Sequence, residues 1–216
     1  MSLKTDGNYY ELEELVRANC SDCVGCHECC TGMGDTIVLD PYDIWQLKRA
    51  TGCSMQELLV QAKVALGVVD GLVLPHIQMD SETDVCPFLN VEGRCSIHSH
   101  RPGMCRLFPL GRNYEDGKLS YILLTDECKK KNRSKIKVSH WIGVSPPEQY
   151  HVYVLRWHEF RKKLIGLFAE AKEEEIKTLT MYVLQTFYFS WNPPEDAFFA
   201  TFTQKLNDVE ETLGIK

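Results

Sequence analysis

The 216-residue chain has no excess of positive charge and no long apolar run. No stretch reaches the roughly 18 consecutive apolar residues of a membrane-spanning helix, so we expect no membrane partner. Its 30 acidic residues outnumber its 24 basic ones and give a formal net charge of -6. Nucleic-acid binding is unexpected, because it needs a basic face that neutralises phosphates. The basic stretch KKKNRSKIK, 129–137, is predicted to be a solvated loop, with a partner-docking surface as the alternative.

Recognisable targeting and catalytic motifs are also missing. The first residues, MSLKTDGNYYELEELV, lack the apolar core and the small-residue cleavage site of a secretory signal, so a cytoplasmic location is predicted. There is no P-loop, no H-E-x-x-H and no G-x-S-x-G. Whether the protein is an enzyme is left open, and any chemistry would belong to a metal centre.

Cysteine is abundant but confined to one part of the chain. All ten cysteines lie between Cys20 and Cys128, and a reducing compartment favours metal ligation over disulfides. The sequence after this part has apolar residues at helical spacing. We therefore predict an α-rich α+β fold, with a cysteine-cluster metal-binding region at 1–145 that has short strands and packs as one unit against helices at 146–216.

Local signals place several elements. Asp40 before Pro41 predicts a helix N-cap, and Ser54 with Glu57 predicts a capping box for a second helix. The stretches TIVLD, LVLPHIQM and LSYILL are predicted to be short strands. Three C-terminal helices are predicted from apolar residues spaced three and four apart, with SWNPPED separating the last two. The apolar residues on one face of each helix begin at Tyr150, Ile176 and Phe199, and we interpret them as residues of the hydrophobic core.

The first group of cysteines lies in CSDCVGCHECC, 20–30. Two-residue gaps let successive thiolates converge on one centre, as in zinc knuckles and iron–sulfur loops. Counted from Cys20, the spacing C-x2-C-x2-C-x3-C is that of a bacterial ferredoxin loop, but Thr31 stands where that loop has proline. Adjacent side chains usually diverge, so Cys29 and Cys30 are not expected to complete one tetrahedral site together. They could serve two metals, or one could be a small buried apolar residue.

A second group follows in CPFLNVEGRCSIHSHRPGMCRLFP and TDECKK. Eight cysteines in two groups of four exceed the needs of a single zinc, so we predict that they converge on an iron–sulfur centre or a closely spaced metal pair. The predicted ligands are Cys23, Cys26, Cys29, Cys30, Cys86, Cys95, Cys105 and Cys128. Cys20 and His98 are secondary candidates, and Cys53 is interpreted as structural. Arg101 and Arg106 could offset the thiolate charge by donating to sulfur or to nearby carbonyls, although surface exposure is the alternative for one of them.

These blocks together resemble the YkgJ-type cysteine-cluster family, also described as the CxxCxxCC or zinc- or iron-chelating domain. The resemblance rests on CVGCHECC, CPFL and CSIHSHRPGMCRLFP, and it covers about Cys20 to Cys128. His98 stands where the family usually has tyrosine, and His27 stands where glycine is common. The resemblance implies a metal-binding domain with metal ions as partners, and with an iron–sulfur cluster or zinc as the cofactor. Of the two we predict an iron–sulfur cluster, with a redox role.

Two alternatives remain open at the level of sequence. One branch of the family acts as a flagellin lysine N-methylase, so a methylase-like enzyme is an alternative function. The only glycine-rich candidate for a nucleotide loop, TGMGD at 31–35, is better explained as the turn that leaves the metal site. The other alternative is a structural zinc module that serves interactions. Cysteine ligands alone do not separate iron from zinc.

Overall fold

The α+β fold of the chain is seen in a computed structural model that describes residues 4–21, 26–130 and 132–215. Short antiparallel strands alternate with short helices up to residue 142, and long helices follow. The strands are β1 (Thr5–Tyr10), β2 (Leu15–Asn19), β3 (Val64–Val69), β4 (Leu72–Ile77), β5 (Leu110–Glu115), β6 (Lys118–Leu124) and β7 (Ser134–Lys137). The helices are α1 (Pro41–Thr51), α2 (Met55–Val60), α3 (Gly103–Leu107), α4 (Val138–Ile142), α5 (Pro147–Glu170), α6 (Glu173–Leu184) and α7 (Phe198–Leu213). The predicted fold class is confirmed.

The strands form three small antiparallel sheets. One sheet has the order β1-β6-β5, and β2 pairs with β7 while β3 pairs with β4. Asp-Gly turns join β3 to β4 and β5 to β6, and both residues of each turn have positive φ: Asp70 and Gly71 at 52° and 81°, Asp116 and Gly117 at 49° and 71°. Such turns match the right-handed twist of antiparallel strands.

The two predicted helix starts are confirmed. Asp40 caps α1, and its Oδ1 accepts from the backbone N of Asp43 at 2.9 Å. Ser54 and Glu57 form the capping box of α2. Both signals are local, because a cap side chain binds a backbone group three residues away.

The C-terminal helices build an aromatic core over α1. Tyr150, Tyr153, Trp157, Phe160 and Leu164 of α5 are buried, as the periodicity predicts. The Oη of Tyr153 accepts from the backbone N of Tyr42 at 2.9 Å, and the Phe198 ring of α7 lies 5.0 Å from the Tyr42 ring. A π-helical turn, Gln185–Phe189, extends α6 before the proline-rich break. Buried side chains of both parts belong to one apolar cluster, and the division at residue 145 stays a prediction.

Two stretches differ from their predicted conformation. TIVLD forms only an isolated bridge between Val38 and His76, because the chain turns at Asp40 to start α1. The basic stretch 129–137 is not wholly a loop, since its last residues form β7 against β2; Lys131 lies outside the described residues.

None of the helices in the described ranges is both long and apolar enough for a membrane crossing.

Candidate metal centre

A cavity of about 60 Å³ lies where the two cysteine-bearing segments meet. Six of the predicted ligands line it: Cys26, Cys29, Cys30, Cys86, Cys95 and Cys105. The remaining wall is mostly apolar and includes Ile77, Met79, Phe88, Phe108 and Trp141. The structure thus brings side chains from positions up to 79 residues apart in sequence to one enclosed space.

Backbone hydrogen bonds hold the two segments together. The 3-10 turn Glu28–Cys30 carries the adjacent cysteines, and the carbonyl of Cys30 accepts from the N of Cys86 at 2.9 Å. Thr31 and Val85 form an antiparallel bridge beside this bond. The register of these two chains therefore sets the position of Cys29 and Cys30 relative to Cys86.

A tight loop places Cys95 opposite Cys86. Leu89 and Cys95 form an antiparallel bridge, and the N of Asn90 donates to the carbonyl of Arg94 at 2.9 Å. Gly93 makes the turn with φ 71°, and a Cβ there would lie 3.1 Å from Nδ1 of His27. Glycine is required at this position by both the backbone angle and the neighbouring imidazole.

Cys105 is carried by α3, and a buried polar network fixes the start of this helix. Oδ1 of Asp43 accepts from the N of Gly103 at 2.7 Å. Behind Gly103 stand Tyr150 Oη and Arg112 Nη2, which would lie 2.8 Å and 2.9 Å from a Cβ. The network therefore leaves room only for glycine two residues before Cys105.

The same network has an unusual charge state. Burial, and then the charge of Asp40, raises the pKa of Asp43 to about 8, and burial also raises the pKa of Asp40. Arg112 beside them remains charged, so one carboxylate balances it while the other holds a proton at neutral pH.

A pH-dependent stability follows from the raised pKa of Asp43. Its folded-state pKa exceeds the unfolded value, so its stabilising contribution is complete at about pH 4 and is lost as pH rises through about 8. Asp43→Asn imitates the protonated side chain and should gain stability relative to wild type as pH rises. Urea unfolding of both proteins between pH 5 and 8, in reductant, measures this difference. A difference that stays constant with pH would contradict the raised pKa.

The cavity disfavours thiolates unless a cation is present. A hydrogen bond with Cys30, followed by burial, raises the pKa of Cys29, and burial raises the pKa values of Cys86, Cys95 and Cys105. The charge of Arg101 acts in the opposite direction on Cys29 and Cys95. A bound metal ion would lower the pKa values of the thiols that ligate it, because the thiolate is the form that ligates.

The arginines and histidines beside the cysteines have distinct surroundings. Arg106 is buried, and its Nη2 donates to the carbonyls of Ser99 and Arg101 at 3.0 Å and 3.3 Å. Donation to carbonyls was one of its two predicted roles. Nη1 of Arg101 lies 2.8 Å from Nε2 of His98. His98 and His27 both line the cavity.

The other three cysteines that the structure describes do not line this cavity. Cys20 is buried at the end of β2, and Cys128 is half-buried after β6. Cys53 lies beside Gln61, with 3.6 Å from its Sγ to Nε2. Cys23 lies outside the described residues.

The donor set fits a thiophilic metal or cluster in chemistry, although its sulfurs are spread out. Within residues 4–21, 26–130 and 132–215, no three His, Cys, Asp or Glu side chains lie close enough to hold a metal ion as they stand. Six thiols nevertheless surround one mostly apolar cavity. Binding would have to draw sulfurs inward as they lose their protons.

Sequence patterns did not identify Asp43, Gly103 and Arg112 as supports of the centre. The only local signal is that Asp43 is the third residue of helix α1, which begins at Pro41 after the N-cap Asp40. Its contact with Gly103 joins residues 60 apart, and no short-range pattern indicates that pairing.

Comparison with known proteins supports the metal-binding interpretation of these segments. Residues 22–135 match the family model CxxCxxCC, described as "Putative zinc- or iron-chelating domain". No curated protein and no solved structure matches the chain. The matched range contains all six cysteines of the cavity and covers more than half of the sequence. The chain belongs to the CxxCxxCC family of zinc- or iron-chelating domains.

Proposed function

We propose that the protein holds an iron–sulfur centre, or a closely spaced pair of metal ions, between its two cysteine-bearing segments and has a redox role. The observation that carries this proposal is the set of six cysteines, drawn from both segments, around one cavity. The proposed ligands are Cys23, Cys26, Cys29, Cys30, Cys86, Cys95, Cys105 and Cys128. An iron–sulfur centre, when bound, supplies one-electron transfer at a potential that its surroundings adjust.

The number of sulfurs favours more than one metal. A structural zinc takes four ligands at about 2.3 Å from one point. Six cysteines line the cavity, which is two more than one such site takes. A multinuclear centre uses a wider shell of sulfurs than a single ion does.

The surroundings of the cavity suit a negatively charged centre. Four or more thiolates leave excess negative charge, and the positive charge of Arg101 acts on Cys29 and Cys95. Apolar side chains such as Phe88, Phe108 and Trp141 restrict water. Both features are means by which proteins adjust the potential of a cluster.

The proposed participation of Cys128 has an indirect support. Its neighbour Lys129 forms an ion pair with Glu28 in the cysteine-bearing turn. The hydrogen bond and the charge of Glu28, and to a smaller extent the charge of Cys26, raise the pKa of Lys129. The chain around Cys128 therefore passes close to the first cysteine group.

Zinc is the second candidate, because the family description names both metals and thiolate donors suit either one. Methyl transfer has less support. The cysteine cavity of about 60 Å³ is far below the roughly 300–1,000 Å³ of small-molecule sites, so it has no room for S-adenosylmethionine beside the cysteines.

Metal analysis of protein prepared without oxygen tests the proposal. We expect iron and acid-labile sulfide in comparable amounts, a brown colour, and zinc well below one equivalent. Cys95→Ser should lose most of the iron, because it removes a ligand from the cavity wall. Cys53→Ser is the matched control, and its metal content should equal that of wild type.

Three outcomes would count against the proposal in different ways. A colourless protein with zinc and no sulfide, which unfolds when a chelator is added, would establish the zinc alternative. Equal metal content in Cys95→Ser and wild type would place the centre elsewhere. Saturable calorimetric binding of S-adenosylmethionine would favour the methylase-like alternative.

A further inference from the structure

A second and larger cavity lies next to the cysteine cavity, with α3 between them. Its volume is about 390 Å³, within the roughly 300–1,000 Å³ of small-molecule sites. Cys105 of α3 borders the cysteine cavity, while Met104 and Leu107 border the second one. Phe108 borders both. The second cavity thus has its own walls but is close to the candidate metal centre.

Most of the second cavity is apolar, with a few polar groups on one side. Strands β5 and β6 provide one wall and helix α5 provides another, and the N-terminus of α1 closes one end. The polar side chains that converge on it from β5 and α5 are Arg112, Tyr114, His158 and Arg161. An apolar space with a few convergent polar groups is the usual form of a small-molecule site.

Arg161 borders this cavity, and the described residues leave one of its donors unsatisfied. Its Nη2 donates to Oδ2 of Asp70 at 3.1 Å, but Asp70 has 68% of its side chain exposed, so this ion pair is weakened by solvent. The Nε of Arg161 is buried and has no hydrogen-bond acceptor among the residues that the structure describes. A buried guanidinium N–H without an acceptor is costly, and an oxygen atom of a ligand in the cavity would satisfy it once the Arg161 side chain turns Nε toward that space.

The other polar groups define the shape and charge of an acceptable ligand. The rings of Tyr114 and His158 stack at 3.6 Å and within 3° of parallel, and together they border the cavity. Burial lowers the pKa of His158, so its ring is neutral at pH 7. This pair adds polar atoms and a stacked aromatic surface but no charge.

Arg112 is already engaged by the protein. Its Nη2 donates to Oη of Tyr150 at 2.9 Å, and its charge is opposed by Asp40 and Asp43. Arg112 is balanced by the one carboxylate of this pair that stays ionised, so Arg161 remains to balance a single negative charge, and a phosphate dianion would exceed it. The charge distribution therefore favours a monoanion.

We infer that this second cavity binds a small organic acid with one carboxylate and an apolar body, and that Arg161 receives the carboxylate. The apolar walls from β5, β6 and α5 would enclose the rest of the ligand. This inference does not depend on the identity of the metal or on the presence of a metal centre.

Binding of defined carboxylates to the full-length, metal-loaded protein tests the inference. The probes are hexanoate, octanoate and 3-phenylpropanoate, each compared with its neutral amide by calorimetry and ligand-observed NMR. We expect saturable binding of at least one acid. Its amide should bind at least about tenfold more weakly. Arg161→Gln should weaken the acid by about 10- to 100-fold, the range for a lost hydrogen bond to a charged group.

Control variants separate a binding role from a structural one. Arg156 lies on the same helix, but its guanidinium contacts Asn207 and Glu210 instead of the cavity. Arg156→Gln should therefore leave binding unchanged. Ile122→Phe narrows the cavity without changing charge, and it should weaken the acid and its amide together. Circular dichroism and thermal unfolding establish that each variant is folded. Absence of saturable binding for every acid, or equal affinity in Arg161→Gln and wild type, would overturn the inference.

Discussion

Removal of residues 147–216 is expected to leave the remaining chain insoluble. The deleted part includes α5, α7 and the π-helical turn after α6, which pack on α1. On α1, Tyr42 and Trp45 are buried to 8% and 4% exposure. Truncation would expose these rings and the apolar residues around them, and burial of apolar surface contributes about 25 cal/mol per Å². A large new apolar surface on a folded domain promotes aggregation.

The deletion would also remove hydrogen-bond partners from α1. Nε1 of Trp45 donates to the carbonyl of Pro193 at 3.1 Å, and Nζ of Lys48 donates to the carbonyls of Tyr188 and Trp191 at 2.6 Å and 3.2 Å. Burial by this contact lowers the pKa of Lys48 to about 8. After truncation these polar groups would face water beside newly exposed aromatic rings.

The measurement is the fraction of each protein in the supernatant after expression and ultracentrifugation. Full-length protein prepared in parallel is the reference. A folded, monomeric fragment 1–146 with cooperative unfolding would contradict this expectation. It would show that the proposed division near residue 145 separates two independent domains.

Local signals in the sequence were sufficient for many of the elements. The start of α1 depends on Asp40 and Pro41, and that of α2 on Ser54 and Glu57, so a few neighbouring residues determine each one. The long helix α5 was predictable because one face repeats over 24 residues. Strand β6 was predictable because its sequence is rich in apolar and aromatic residues and follows an Asp-Gly turn.

Elements that depend on distant partners were not predictable. Strand β1 is exposed over most of its length, so its sequence has no alternating apolar pattern. Strands β2 and β7 pair Asn19 with Ser134 across 115 residues. Nothing in KKKNRSKIK indicates that its last residues have a strand partner near the N-terminus.

The candidate site shows the same contrast. The number and spacing of the cysteines, with the family resemblance, made both segments candidate ligands, and six of these cysteines border one cavity. Their supports come from α1, β5 and α5, where Asp43, Arg112 and Tyr150 meet at Gly103. These residues are far apart in sequence, and each one alone resembles an ordinary surface or core residue.

The buried side chain of Asp43 gives the second large expected effect. Asp43→Ala should lower the free energy of unfolding by about 3 kcal/mol or more, because two buried N–H groups lose their acceptor and each costs about 1–3 kcal/mol. These are the N of Gly103, at 2.7 Å, and the N of Asp40, at 3.1 Å. The loss is a substantial part of the roughly 5–15 kcal/mol by which a domain is stable.

Glu57→Ala is the matched control, since Glu57 occupies the same third position in the capping box of α2. Glu57 is exposed, and water can replace its hydrogen bonds, so its loss should have a much smaller effect. Asp43→Asn keeps one acceptor for Gly103 and should fall between the two. Urea unfolding at pH 7 in reductant measures all three against wild type.

The same substitution should also reach the candidate metal centre. Gly103 begins the helix that carries Cys105, so losing the hydrogen bond from Gly103 to Asp43 frees that helix to shift. At temperatures where Asp43→Ala is still folded, we expect it to hold less metal than wild type, while Glu57→Ala holds the same amount. Equal metal content in folded Asp43→Ala, Glu57→Ala and wild type would show that Cys105 is positioned independently of Asp43, or that Cys105 is not a ligand. Equal stability of Asp43→Ala and wild type would contradict the buried network itself.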